Sequence, residues 1–94
     1  MPDYFAILTL YQVHAAAAVT GAPEGERDEI ASVALDRVAE GFLTSAERAG
    51  WGDLGAEAQA GRLRIGRQRL RRWEMANPDI SALLRRKART AALG

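Results

Sequence analysis

Arginine is the residue of this chain with the most informative chemistry. A guanidinium group binds phosphate or carboxylate through paired N–H donors, and ten of the thirteen basic side chains lie in residues 62–94. That segment holds two acidic side chains, for a net charge of +8, whereas residues 1–61 have a net charge of −7. The basic segment therefore requires an anionic partner, which is nucleic acid, an acidic protein surface or the chain's own acidic half.

Part of this segment has the spacing of a helix with two different faces. At about 100° per residue, one face is apolar and the opposite face is basic, with Gln68 beside it. In a major groove Arg pairs with guanine and Gln with adenine, whereas a run of lysines would bind phosphate only. The pattern favours a helix that binds DNA. Its apolar positions are Leu63, Gly66, Leu70 and Trp73, and its basic positions are Arg64, Arg67 and Arg71.

A protein-interaction subunit is the alternative, because the two halves of the chain carry nearly equal and opposite charge. The basic segment would then dock an acidic protein surface or a second copy of the chain. An arginine-rich solvated face without any ligand is the remaining interpretation, since the chain has twelve Arg and one Lys. The interaction hypothesis predicts ion pairs, within one subunit or between two, that join Arg64, Arg67 or Arg71 to Glu26, Glu40 or Glu47.

Residues suited to catalysis are sparse. His14 is the only histidine, there is no cysteine, and the carboxylates concentrate at residues 24–29, where the positive end of a helix explains them. Neither a nucleophile beside a base nor a set of metal ligands can be recognised. We therefore expect a protein that is not an enzyme and has no cofactor and no metal.

The elements that must position the arginines are helices. Ala and Leu dominate the apolar residues, and no alternation typical of a strand reaches a useful length. The sequence predicts a single all-α domain of residues 1–94, built as a small bundle of four helices, or five if Gly61 and Gly66 divide the third. Asn77, Pro78 and Asp79 mark the clearest helix start. The predicted helices cover residues 3–20, 24–49, 56–76 and from 78 onward.

The first helix, residues 3–20, is apolar on nearly every side. We expect it to be central in the bundle or to form an interface between copies, and a homo-oligomer through this helix would double the charge presented to DNA. The stretch is too short to span a membrane. Since no basic side chain precedes Arg27, it also lacks the start of a secretory signal, and we expect a cytoplasmic protein without membrane contact.

The end of the basic segment carries a family pattern. Leu70 and Trp73 precede residues 77–80, Asn-Pro-Asp-Ile, and a Leu-Leu pair follows at 83–84. These residues resemble the end of the helix-turn-helix in phage terminase small subunits and in transposase-type, homeodomain-like DNA-binding domains. The resemblance covers about residues 42–86. Residues similar to the opening helix of that unit are Phe42, Leu43, Ala46 and Gly50.

This resemblance implies a role for each matching position. Leu70 and Trp73 would lie in the core, and an arginine and glutamine cluster would face the DNA. The base-reading residues would be Arg67, Gln68 and Arg71, and the phosphate contacts would be Arg64, Arg72, Arg85 and Arg86.

Overall fold

The computed structural model describes residues 2–93, so Met1 and Gly94 of the predicted domain lie outside the described residues. Within residues 2–93 the chain contains six α-helices, one 3₁₀ turn at Trp51–Asp53 and no strand, which confirms the all-α class. Among these helices, none combines the length and the apolar composition that crossing a bilayer requires. The helices are α1 (Tyr4–Val19), α2 (Glu24–Ile30), α3 (Ser32–Gly41), α4 (Ser45–Arg48), α5 (Ala56–Ala76) and α6 (Pro78–Leu93).

The second predicted helix, residues 24–49, is divided into three, so the predicted count of four or five helices was too low. Ala31 leaves helical geometry at φ −93° and ψ 17°, and Phe42 does so at φ −94° and ψ 2°. Thr44 then starts the one-turn α4 with a capping box. The Glu47 backbone N–H donates to the Thr44 hydroxyl oxygen, and the Thr44 backbone N–H donates to the Glu47 carboxylate. The residues similar to a helix-turn-helix opening helix thus include only one helical turn.

The third predicted helix is continuous. α5 runs for 21 residues through both Gly61 and Gly66, which rules out two short helices. Gly66 is buried where α5 crosses α3, and a Cβ placed on it would overlap the Ala39 carbonyl oxygen and lie 2.7 Å from the carbonyl carbon. The close packing that Gly66 permits offsets the roughly 1 kcal/mol that a glycine costs inside a helix.

α1 occupies the centre of the fold. It packs against α6, α3 and α2, whereas α5 packs mainly on α3. Ile7 is 0% exposed and Leu10 is 3% exposed, so the chain itself covers this face of α1, whereas Phe5 near its start and Val19 at its end are 78% and 59% exposed. α1 thus has the central position that was one of the two expectations for it, and the homo-oligomer through residues 3–20 stays a prediction. The buried cluster consists of Ala6, Ile7, Leu10, Tyr11, Ala31, Leu35, Val38, Leu70 and Ala88.

Two arginines of α5 hold the segment around α4. Arg69 donates to both carboxylate oxygens of Glu47, at 2.6 and 2.9 Å, and to the Phe42 carbonyl oxygen at 2.9 Å. Arg62 donates to the backbone carbonyl oxygen of Glu47. Arg62 and Arg69 therefore have structural partners, and neither was among the predicted ligand contacts.

Acid should weaken the attachment of α4. Arg69, followed by the Thr44 backbone N–H, lowers the pKa of Glu47 from 4.5 to about 2. Because the folded pKa is depressed, this contribution to stability is complete above about pH 4.5 and is lost as the pH falls towards 2. We expect the urea midpoint, followed by circular dichroism, to fall more steeply over this window in the native chain than in Glu47→Gln. Parallel pH profiles for the two proteins would contradict the assignment.

Candidate anion-binding cleft

A cleft of about 880 Å³ opens between α1, α5 and α6 and ends against α2. α5 and α6 follow each other in sequence but share few contacts, because α5 packs on α3 and α6 packs on α1. The space left between them, with α1 beneath it, is the cleft. The shape of the cleft therefore depends on α5 and α6 packing against two different helices of the fold.

Arginines lie on both sides of this cleft. Arg67 and Arg71 line it from α5, one helical turn apart. On α6, Arg85, Arg86 and Arg89 line the facing side. The fold thus brings two arginine rows, which are separate in sequence, to opposite sides of one opening.

The structure brings together four of the seven residues predicted to contact nucleic acid. Arg67, Arg71, Arg85 and Arg86 line the cleft. The other three are exposed and lie outside the cleft lining, on the next strip of the α5 surface. They follow one another at four-residue spacing and form what we call the outer stripe: Arg64, Gln68 and Arg72.

Two arginines of the cleft were not predicted as site residues. Arg89 lies one helical turn beyond Arg85 and Arg86, and this spacing was a signal for it in the sequence. Arg27 lies in α2, at the end of the cleft, among the carboxylates of the acidic half. No local pattern could have assigned it, since only the packing of α2 beside α1 places it there.

The predicted position of Arg67 and Arg71 opposite the apolar face of α5 was wrong. Each follows a buried residue, Gly66 or Leu70, and therefore lies only about 100° from the core direction. They flank the buried face, close enough to α2 and α3 to reach their aspartates. The outer stripe holds the position directly opposite the core.

Carboxylates of the chain neutralise several of the cleft arginines. Arg67 pairs with Asp36 of α3, and Arg71 Nη2 lies 3.6 Å from Asp28 Oδ2. Arg85 pairs with a third carboxylate, that of Glu74 on α5. The acidic half of the chain thus supplies part of the countercharge. Arg67 and Arg71 thus pair with aspartates and not with the predicted Glu26, Glu40 or Glu47. Of these three glutamates, Glu47 pairs instead with Arg69.

Other basic side chains stay without a carboxylate partner inside the described part of the chain. Within residues 2–93 no acidic oxygen lies within 4.0 Å of the charged atoms of Arg86 or Arg89 on the α6 side of the cleft. The same holds for Arg64 and Arg72 of the outer stripe. All four are exposed, so their charge is available to an external anion.

Tyr11 forms a polar part of the cleft floor. Its hydroxyl donates to Glu74 Oε2 at 2.6 Å and accepts from the Ser81 hydroxyl at 3.0 Å, which joins α1, α5 and α6. The Arg85 guanidinium carbon lies 4.2 Å from the ring centroid. Burial, reinforced by the bond to Glu74, raises the pKa of Tyr11 to about 12, so the phenol remains a donor at neutral pH.

His14 lies one turn further along α1. Its Nε2 is buried 3.2 Å from Asp28 Oδ1, without the geometry of a hydrogen bond. Asp28 also meets Arg71 through its other oxygen. In the stretch from residue 2 to residue 93, no three side chains of metal-ligating type lie together in an arrangement that could hold a metal ion. His14 therefore contributes to the end of the cleft as one partner of Asp28.

The fold and the cleft together define a small all-α protein with facing rows of arginine. No family model, no curated protein and no solved structure matches this chain. The resemblance to helix-turn-helix domains stays a prediction. The charge and the geometry of the cleft are therefore the features that bear on function.

Proposed function

We propose that this protein is a non-enzymatic binder of nucleic acid, with DNA as the ligand, and that α5 and α6 form its interface. The observation that carries the proposal is the placement of two arginine rows on opposite sides of one cleft mouth. A nucleic-acid backbone presents regularly spaced phosphates, and most contacts of DNA-binding proteins are made to phosphate oxygens. A backbone crossing the mouth would meet arginines from both helices.

Phosphate contact is favoured over base reading at the cleft itself. Arg67 and Arg71, which the resemblance implies would read bases, are paired with Asp36 and Asp28. Entering a major groove would require these arginines to leave their partners. The outer stripe has no such restraint, and Gln68 stands there between two arginines. Any base contact would therefore come from the outer stripe, beside phosphate contacts made by the cleft rows.

The salt dependence of binding tests this proposal. Fluorescence anisotropy with a labelled duplex should show an affinity that falls about a thousandfold from roughly 50 to 200 mM salt if about six phosphates are neutralised. Arg89→Ala should reduce the slope of log affinity against log salt by about 0.9. Because Arg89 has no ion pair among the described residues, its replacement leaves the known folding contacts intact.

Lys87→Ala is the matched control, since it removes one positive charge two residues away on a part of α6 that does not line the cleft. We expect a slope close to that of the native protein. Circular dichroism should show that both variants are folded. The proposal fails if binding is insensitive to salt, or if the two single variants lose affinity equally.

A second candidate function is docking of an acidic protein surface or a second copy of the chain. The ion pairs favour this docking function, because Arg67, Arg71 and Arg85 already pair with carboxylates of their own chain. In that case addition of the protein should leave the anisotropy of the labelled duplex unchanged at about 50 mM salt. Light scattering would show a mass above the 10.2 kDa of one chain, and this mass would fall at high salt if a second copy is the partner.

A further inference from the structure

The cleft has an apolar lining that phosphate contact at its mouth does not involve. Leu10, Leu35 and Leu70 lie at its base, where the chain itself leaves them at most 6% exposed. The apolar lining that is open to a ligand lies on the last turns of α1 and α6 and includes Val19 and Leu93, whose exposed fractions are 59% and 77%. A site built only for a sugar–phosphate backbone needs no such surface. The combination of an apolar interior and a basic rim is typical of a site for a ligand with one apolar and one charged part.

The charged part of such a ligand has a defined place. Arg67, Arg71 and Arg85 are paired with carboxylates, so an anion would have to compete for them. Arg86 and Arg89 line the α6 side without an ion pair in the described residues. An anionic group bound there avoids the competition and makes charge-assisted hydrogen bonds to guanidinium groups.

We propose that the cleft binds an amphipathic organic anion, a carboxylate or phosphate monoester with an alkyl chain. Arg86 and Arg89 hold the anionic group, and the alkyl chain lies over Ala18, Val19 and Leu93 on the last turns of α1 and α6. The volume of about 880 Å³ falls within the range of roughly 300–1,000 Å³ that small-ligand sites occupy. This site is independent of nucleic-acid binding, because the alkyl chain requires the apolar lining and a nucleic-acid backbone requires only the basic rim.

Isothermal titration with alkyl phosphates below their micelle concentrations tests the site in the absence of nucleic acid. Decyl phosphate should bind about tenfold more tightly than octyl phosphate, since each buried methylene tightens binding by up to about fourfold. Inorganic phosphate, which lacks the chain, and decanol, which lacks the charge, should each bind at least about a hundredfold more weakly than decyl phosphate. Equal affinity for decyl phosphate and inorganic phosphate would overturn the proposal.

Two pairs of variants locate the ligand. Ala18→Trp places a large side chain in the apolar lining from an exposed position, and Ala91→Trp does the same on α6 outside the cleft. We expect at least a tenfold loss of decyl phosphate affinity for the first and none for the second. Arg89→Ala should likewise weaken binding about tenfold and Lys87→Ala should not. If both members of either pair behave alike in folded protein, the ligand does not occupy this cleft.

Discussion

Gly66→Ala should lower the stability of this protein by about 3 kcal/mol, at the upper end of the range for an overpacked core. The added Cβ would overlap the carbonyl oxygen of Ala39 and lie 2.9 Å from its Cα. These are backbone atoms of α3, and they cannot rotate away as the end of a side chain can. α3 and α5 would have to separate, and the thermal midpoint should fall by roughly 12–24 °C.

Gly61→Ala is the control within the same helix. No atom outside its own turn lies within 4 Å of a Cβ at Gly61, so the methyl group meets open space. Alanine there should raise stability by up to about 1 kcal/mol, because it improves helix propensity. Glycine-to-alanine substitution should therefore shift the thermal midpoint, followed by circular dichroism, down at Gly66 and up at Gly61. A Gly66→Ala protein that melts at the native temperature would show that the two helices do not cross this closely.

Ile7→Ala should cost roughly 2–5 kcal/mol of unfolding free energy. Within the described residues Ile7 is the largest side chain that is fully buried, at 0% exposure, and it belongs to the buried cluster. Removing three carbon atoms loses their transfer free energy and leaves a cavity beneath α6 and α3. Since small domains have total stabilities of about 5–15 kcal/mol, this change alone could leave a large unfolded population.

The matched substitution for this prediction is Ile30→Ala. Ile30 is 55% exposed at the end of α2, so the same atoms are removed from a side chain that the fold covers only in part. We expect a loss of about 1 kcal/mol or less. Urea titration of the three proteins gives the comparison. If Ile7→Ala unfolds at the same urea concentration as Ile30→Ala, α1 is not the centre of the core.

Both contacts also matter for the cleft. The crossing at Gly66 determines where the arginine row of α5 stands, and the packing of α1 against α6 determines where the facing row stands. Neither Gly66 nor Ile7 lines the cleft. If circular dichroism shows that the variant is folded, a loss of ligand binding would therefore report a change in the distance between the rows, unlike the direct effect of Arg89→Ala.

Local interactions explain the parts of the fold that the sequence predicted well. The all-α class follows from composition, and the start of α6 follows from Pro78 at its first position, whereas the Asn77 side chain donates to the Trp73 carbonyl oxygen at the end of α5. The ends of α1 and α5 match the predicted ranges to within about one residue. The capping box of Thr44 and Glu47 is equally local, and its Thr-x-x-Glu spacing was a readable signal for the start of α4.

Non-local contacts decided the rest. The ion pair between Arg67 and Asp36 joins residues 31 positions apart, and the bond between Tyr11 and Glu74 joins residues 63 positions apart. Helical periodicity assigns a side chain to a face of its own helix, but it contains no information about which element covers that face. By itself the sequence determined that the chain is helical and that its last third carries surplus arginine. Only the tertiary structure decided which arginines are neutralised and that two rows of them face each other across one cleft, because both depend on α5 packing on α3 while α6 packs on α1.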